Sequence, residues 1–173
     1  MKRIVLLVAI LVLALAVVPA SAAPSGEISV FYSESEWVVG GELYVTNKLS
    51  VAGSFASIGS ADSELRAAVG YDLSRTDLAV LRATAGVLAI MDSSETVYTP
   101  KVGVSGRAML ADNVFVSGSL DYAFQNDAIA AQTIYDIGVG YIFSGKLYVG
   151  ARARGSLSDS TSSTIGLAFG MTF

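Results

Sequence analysis

The run Thr164-Ile165-Gly166-Leu167-Ala168-Phe169-Gly170-Met171-Thr172-Phe173 decides how this chain is read. Ile165, Leu167, Phe169, Met171 and Phe173 fall on one face, and Thr164, Gly166, Ala168, Gly170 and Thr172 on the other. Strict alternation predicts a β-strand with one apolar face, because successive side chains point to opposite sides of the pleat. Two details set it apart from an ordinary half-buried strand. Its second face is made of very small residues, and the given chain ends on an aromatic one.

At the other end, Met1-Lys2-Arg3 is a basic start, followed by an apolar run from Ile4 to Val18, then Pro19 and the small triplet Ala20-Ser21-Ala22. This order predicts a secretory signal peptide over residues 1–22, cleaved after Ala22, and one domain over 23–173. The alternative, a membrane anchor helix, fits less well because the run is shorter than the roughly 20 apolar residues that span a bilayer. The chain contains no Cys and no His. A disulfide framework and a lipid-modified cysteine are therefore excluded. Losing Lys2 and Arg3 moves the net charge from −4 to −6, which argues against nucleic acid as a partner. No helical period and no membrane-length apolar run follows residue 24, so entry into a membrane would have to use strands.

An internal repeat organises the remainder. Five segments open with an apolar-x-Val triplet: Ile28-Ser29-Val30, Leu49-Ser50-Val51, Leu78-Ala79-Val80, Val114-Phe115-Val116 and Leu147-Tyr148-Val149. Four of them follow short turns, at 46–48, 74–77, 111–113 and 144–145. Partner strands are expected over 40–45, 64–73, 100–110, 133–143 and 164–173. That makes ten strands, most of them about ten residues long, enough to cross a bilayer at a tilt. Tight turns alternate with longer polar connections at 33–39, 58–63, 92–99, 125–132 and 156–163. An even strand count leaves both chain ends beside the tight turns. If the first hairpin lies outside the wall, the count falls to eight.

Faces follow from parity. Tyr135, Ile137, Val139 and Tyr141 oppose Asp136, Gly138 and Gly140; Leu147, Val149, Ala151 and Ala153 oppose Tyr148, Gly150, Arg152 and Arg154. A soluble sandwich would alternate too, with its apolar face inward, but its water face should be rich in Lys, Glu and Asp. Here that face is mostly Gly, Ala and Ser with scattered charge, which suits a crowded barrel interior. The segment from Leu78 breaks phase, because continuing the parity of Leu78 and Val80 would aim Arg82 at lipid. That costs roughly 2–4 kcal/mol near the bilayer midplane, so a β-bulge is expected near Val80–Leu81 to turn Arg82 inward. Aromatic residues gather near strand ends: Tyr71, Tyr141, Phe143 and Phe173 beside the tight turns, and Tyr32, Phe55, Tyr122, Phe124 and Tyr135 beside the longer ones.

The last ten residues resemble the C-terminal strand of bacterial outer-membrane β-barrels, which ends in Phe after apolar residues at every second position. With the signal peptide, the repeat and the loop asymmetry, the whole chain after residue 22 resembles the small single-chain barrels of the OmpA-like, OmpX-like and OmpW-like class. The resemblance implies an all-β, closed, antiparallel up-and-down transmembrane barrel of ten strands, eight being the alternative. It implies outer-membrane lipid as surroundings and the barrel-assembly machinery as a partner, engaged through Ile165, Leu167, Phe169, Met171 and Phe173. No activity, cofactor or subfamily comes with it.

Chemistry is sparse. Without His or Cys, the usual general bases, thiol nucleophiles and imidazole or thiolate metal sites are absent, and no enzyme or cofactor is expected. The candidate functional residues are inward charges: Arg66, Arg82, Arg107, Asp121, Asp136, Arg152 and Arg154, with Glu42, Glu64, Asp72 and Lys101. If Phe143-Ser144-Gly145 forms a three-residue loop with Gly145 left-handed, Asp136 lies directly opposite Arg152, with Asp121 at similar height. Pairing would plug the lumen; free charges would line a narrow pore. An acidic rim is expected at the longer connections, from Glu34, Glu36, Asp62, Asp92, Glu95, Asp127 and Asp159, against basic Lys48, Arg75 and Lys146 at the tight turns. Such a rim could concentrate cations or hold lipid phosphates through divalent ions. The expected function is envelope structure or surface contact, with Trp37 the one conspicuous loop aromatic. The alternatives are a narrow, cation-preferring passive pore and a soluble exported β-domain.

Overall fold

Period-2 alternation is realised as ten strands among the described residues of the computed structural model, which are 25–59, 62–92, 95–126, 130–158 and 163–173. They are β1 (Gly26–Tyr32), β2 (Glu36–Tyr44), β3 (Leu49–Ile58), β4 (Asp62–Arg75), β5 (Ala79–Met91), β6 (Thr96–Ala111), β7 (Val114–Ala123), β8 (Gln132–Phe143), β9 (Leu147–Ser156) and β10 (Thr164–Thr172). The expected signal peptide and the rim residues Asp127 and Asp159 lie outside the described residues. Every strand pairs antiparallel with its chain neighbours, and β1 pairs with β10 from Glu27↔Thr172 to Tyr32↔Leu167. The sheet therefore closes with no free edge. The β1–β2 hairpin is part of the wall, so ten strands hold and eight do not.

Outside, the apolar rows face away from the wall as parity requires. Ile165 is 75% exposed and Ile137 60%, values that make sense only where lipid replaces water around the belt. Ile137 sits in the middle of β8, opposite Gly118 and Ala153. Ile137→Lys is expected to cost about 2–4 kcal/mol of stability in lipid vesicles. Ser119→Lys points the same charge into the lumen instead, and comparing the two variants by denaturant unfolding tests the outward assignment.

Arg82 points inward and is 5% exposed, but the irregularity that permits this lies on the other strand. Asp72 pairs with Arg82 and Ser74 with Leu81, which leaves Leu73 of β4 as the extra residue. β5 keeps one phase throughout, with Leu81 outward and Val80 bordering the lumen. A one-residue slip between two paired strands can be absorbed by either of them. β4 takes it because the added residue is a leucine that extends the outer face. A second bulge follows the same rule, with Leu110 extra between Met109↔Phe115 and Ala111↔Val114.

Two strands begin four residues earlier than expected, β2 at Glu36 and β6 at Thr96, so the connections before them are shorter than the sequence suggests. Trp37 is consequently a strand residue opposite Tyr32 rather than a loop aromatic. Its ring covers Phe55 at 5.5 Å between centroids, which leaves Phe55 buried on the outward side. Tyr71, Tyr141, Phe143 and Phe173 are exposed at the tight-turn end, and Tyr32, Tyr122 and Phe124 at the other, where Tyr98 joins them. Gly145 is left-handed as expected (φ 74°), and so is Ser144 (φ 73°). Pairing continues to Phe143↔Leu147, and this places Asp136 opposite Arg154 rather than Arg152. A shift of two residues keeps every side chain on its face.

Candidate functional site

The lumen is the one place where this sequence concentrates polar chemistry, and its small residues are what let long side chains fit there. A Cβ at Gly70 would strike the Arg82 stem, one at Gly140 the Phe115 ring, and one at Gly170 the Tyr148 ring. In a narrow barrel each large inward residue lies over a small one on the next strand.

All seven predicted lumen charges are brought inside, and each has an ionic partner. At the tight-turn end, Arg107 of β6 crosses to Glu27 of β1 (2.7 Å) with its guanidinium 3.6 Å from the Phe115 ring centre. The Tyr148 hydroxyl donates to the same Glu27 carboxylate (2.5 Å). Arg82 of β5 donates to Asp72 (2.7 Å) and reaches Glu42 and the Tyr44 hydroxyl on β2. Arg75 joins Asp72 at 2.6 Å. Along the wall, Lys101 meets Asp121 (2.8 Å), and Arg152 grips Asp136 with a two-pronged fork, Nε at 2.8 Å and Nη2 at 2.7 Å. Arg152 thus finds Asp136 diagonally across the corrected register. Towards the long-loop end, Arg154 of β9 crosses to Glu36 of β2 (2.9 Å) and Glu64 of β4 (3.1 Å), and Arg66 holds Glu64 at 2.5 Å. Three arginines on β5, β6 and β9 therefore all end on the β1–β2 hairpin.

Apolar side chains complete the long-loop half. Phe31, Val38 and Ala56 form one inward cluster, and Leu88, Ala123 and Ile134, flanked by Ile90, form another across the barrel. Leu88, Ala123 and Thr99 face the lumen yet are 0% exposed. A lumen-facing side chain loses all contact with water only where the lumen is filled. At the tight-turn end the interior is open, forming a cavity of about 790 Å³ bordered by Ser25, Thr76, Asp77 and Leu78 at its mouth. Its charged lining consists of Arg66, Arg75, Arg82, Lys101, Arg107, Arg152 and Arg154 against Glu27, Glu42, Asp77, Asp121 and Asp136.

The rim is less acidic than expected. Glu36 lies on β2 and turns inward to Arg154, buried, because β2 begins at this residue and gives it the lumen-facing parity of Val38, Gly40 and Glu42. Glu34, Asp62, Asp92 and Glu95 are exposed. The Asp92 carboxylate accepts from the Glu95 backbone N–H (2.8 Å), a turn-closing role. Among the described residues no three carboxylates converge as a metal-binding group. The terminal row keeps its outward face: Ile165, Leu167, Phe169 and Met171 are exposed, and Phe173 exchanges backbone hydrogen bonds of 3.0 Å with Gly26. Glu27 and Tyr44 went unrecognised as lumen residues, although parity with Ser29 and with Glu42 would have placed both.

No protein-family model and no curated protein sequence matches the chain. A solved structure of the KdgM porin is similar, at 11% identity and a TM-score of 0.50, covering 86% of this chain and 99% of that one. The fold is that of a small outer-membrane β-barrel. An outer-membrane channel from Pseudomonas putida F1 is also similar (10% identity, TM-score 0.49, covering 91% of this chain and 100% of that one). So is the N-terminal barrel of Pseudomonas aeruginosa OprF (14%, 0.39, 86% and 97%). The narrower likeness to the OmpA-like, OmpX-like and OmpW-like class is not supported. The barrel has ten strands, where OmpA- and OmpX-type barrels have about eight. The two extra strands widen the interior beyond what side chains fill, and the cavity is the result. This barrel's lumen offers paired guanidinium and carboxylate groups and aromatic faces, and it has no His or Cys to serve as base or thiol nucleophile.

Proposed function

We propose that the chain is an integral, non-catalytic protein of the bacterial outer membrane whose lumen is closed towards the long-loop end, serving envelope structure or surface contact. The observation that carries this reading is the filling of the lumen towards the long-loop end, where the inward-facing Leu88, Ala123 and Thr99 lose all exposure. A signal peptide over residues 1–22 would deliver the chain. Outer-membrane lipid would cover the apolar rows, and the row ending in Phe173 would engage the barrel-assembly machinery. The test is a planar-bilayer recording of the membrane-extracted protein, in which no conductance steps are expected; stable steps would overturn closure.

One observation favours a second reading, a narrow passive pore. The cavity runs from the tight-turn mouth as far as Phe31 and Val38, so only the long-loop end separates the two sides. One acid of the expected cation-attracting mouth, Glu36, is paired with Arg154, and the cavity lining is more basic than acidic. If steps appear, a salt-gradient reversal potential reports the sign of the preferred ion. A soluble exported domain would instead remain in solution without detergent, which the exposed apolar rows argue against.

A further inference from the structure

The cavity at the tight-turn end carries an inference about ligands that does not depend on whether the barrel conducts. Seven basic side chains line it against five acidic ones. The imbalance arises because Glu36, Glu64 and Asp72 lie outside that lining, their side chains only 7%, 11% and 2% exposed behind their arginine partners. The cations remain in reach: Arg152 and Arg107 keep 30% and 23% of their side chains exposed. Neither guanidinium is used up. Arg152 commits Nε and Nη2 to Asp136, which leaves Nη1 without a partner among the described residues. Arg107 commits Nη1 to Glu27, which leaves Nε and Nη2 without one, and the ring of Phe115 holds its plane in place. Hydroxyls of Ser105, Ser117 and Ser119 line the same cavity.

We propose that this cavity binds small soluble oxyanions, of the phosphate or carboxylate kind, through the free N–H groups of Arg107 and Arg152. Planar guanidinium edges match the oxygen spacing of such anions, and charge-assisted hydrogen bonds to them are the strong ones. Low-dielectric walls of one predominant sign concentrate the opposite charge.

The test is a titration of the membrane-extracted protein in detergent with inorganic phosphate at fixed ionic strength. It is followed by the arginine Nε–H signals in 15N-edited NMR and by equilibrium dialysis of labelled phosphate. Saturable binding that shifts the Arg107 and Arg152 signals is expected. Arg152→Gln should weaken it about tenfold, while Lys146→Gln, which removes the same charge from an exposed turn, should leave it unchanged. Should Arg152→Gln not fold, Arg152→Lys keeps the charge and loses the fork, and weaker binding is still expected. Absence of saturable binding overturns the proposal. So does equal weakening by the Lys146 and Arg152 variants, since that would make the effect one of overall charge.

Discussion

Arg154→Ala is expected to do two things at once: lower the stability of the barrel by about 3–5 kcal/mol and make it conduct. Among the described residues Arg154 is the only cation that forms an ion pair with Glu36, and it shares Glu64 with Arg66. Without it, the Glu36 carboxylate stays buried and unpaired, the circumstance in which breaking an ion pair is most costly. The same side chain crosses the lumen from β9 to β2 and β4, so its loss also removes a crossing at the long-loop end. The two effects separate in a double variant. Arg154→Ala with Glu36→Gln removes the stranded charge, so stability should recover by most of the loss while conduction persists. Denaturant unfolding in vesicles and planar-bilayer recording measure the two separately. A stable single variant that never conducts would show that the apolar clusters close the lumen unaided.

Arg82→Ala is expected to destabilise to a similar extent, about 3–5 kcal/mol, but to leave the lumen closed. Arg82 serves Asp72, Glu42 and Tyr44 together. Asp72 would keep Arg75 and Tyr44 would keep its ring contact with Arg75 (4.0 Å), while Glu42 would have no other cation among the described residues. The long-loop closure shares none of these residues. Arg82→Lys should recover only part of the loss, since an ammonium cannot serve two carboxylates and a hydroxyl in one plane. Loss of heat-resistant folded mobility in detergent gels, together with unfolding curves, reads the effect. Conduction by Arg82→Ala would mean the lumen is held shut as a whole rather than at one end.

The architecture was legible in the sequence because period-2 alternation and terminal aromatic residues are local signals, and both repeat around the barrel. The inward aim of Arg82 was legible for an energetic reason, the penalty of a charge in lipid. Which strand carried the compensating bulge was not, since periodicity reports a slip only relative to a partner, and Leu73 continues the outward parity of Val69 and Tyr71 without a break. The Asp136–Arg152 pair was expected for a register that does not occur. The contact survives because an arginine side chain spans a diagonal as readily as a direct pair. Glu36 was read as rim because a strand start is hard to place where the first residues are polar and the first apolar one is Trp37. The crossings to Glu27 and Glu36 join residues far apart in the chain, and no local pattern announces them. The filled long-loop half was equally hidden, because Leu88 and Ile134 occupy the inner face that elsewhere holds small and charged residues.

The convergence of three arginines on the first hairpin bears on the order of events as the chain becomes a barrel. Glu42 waits 40 residues for Arg82, and Glu27 waits 80 for Arg107 and 121 for Tyr148. Closing loops of that length costs entropy before any bond repays it. The first hairpin of the wall is thus the last to be fully secured, by β10 along its edge and by Arg154 from within. Until β9 and β10 arrive, β1 presents an open edge and Glu36 lacks its Arg154. An unfinished barrel of this kind advertises its incompleteness at one seam.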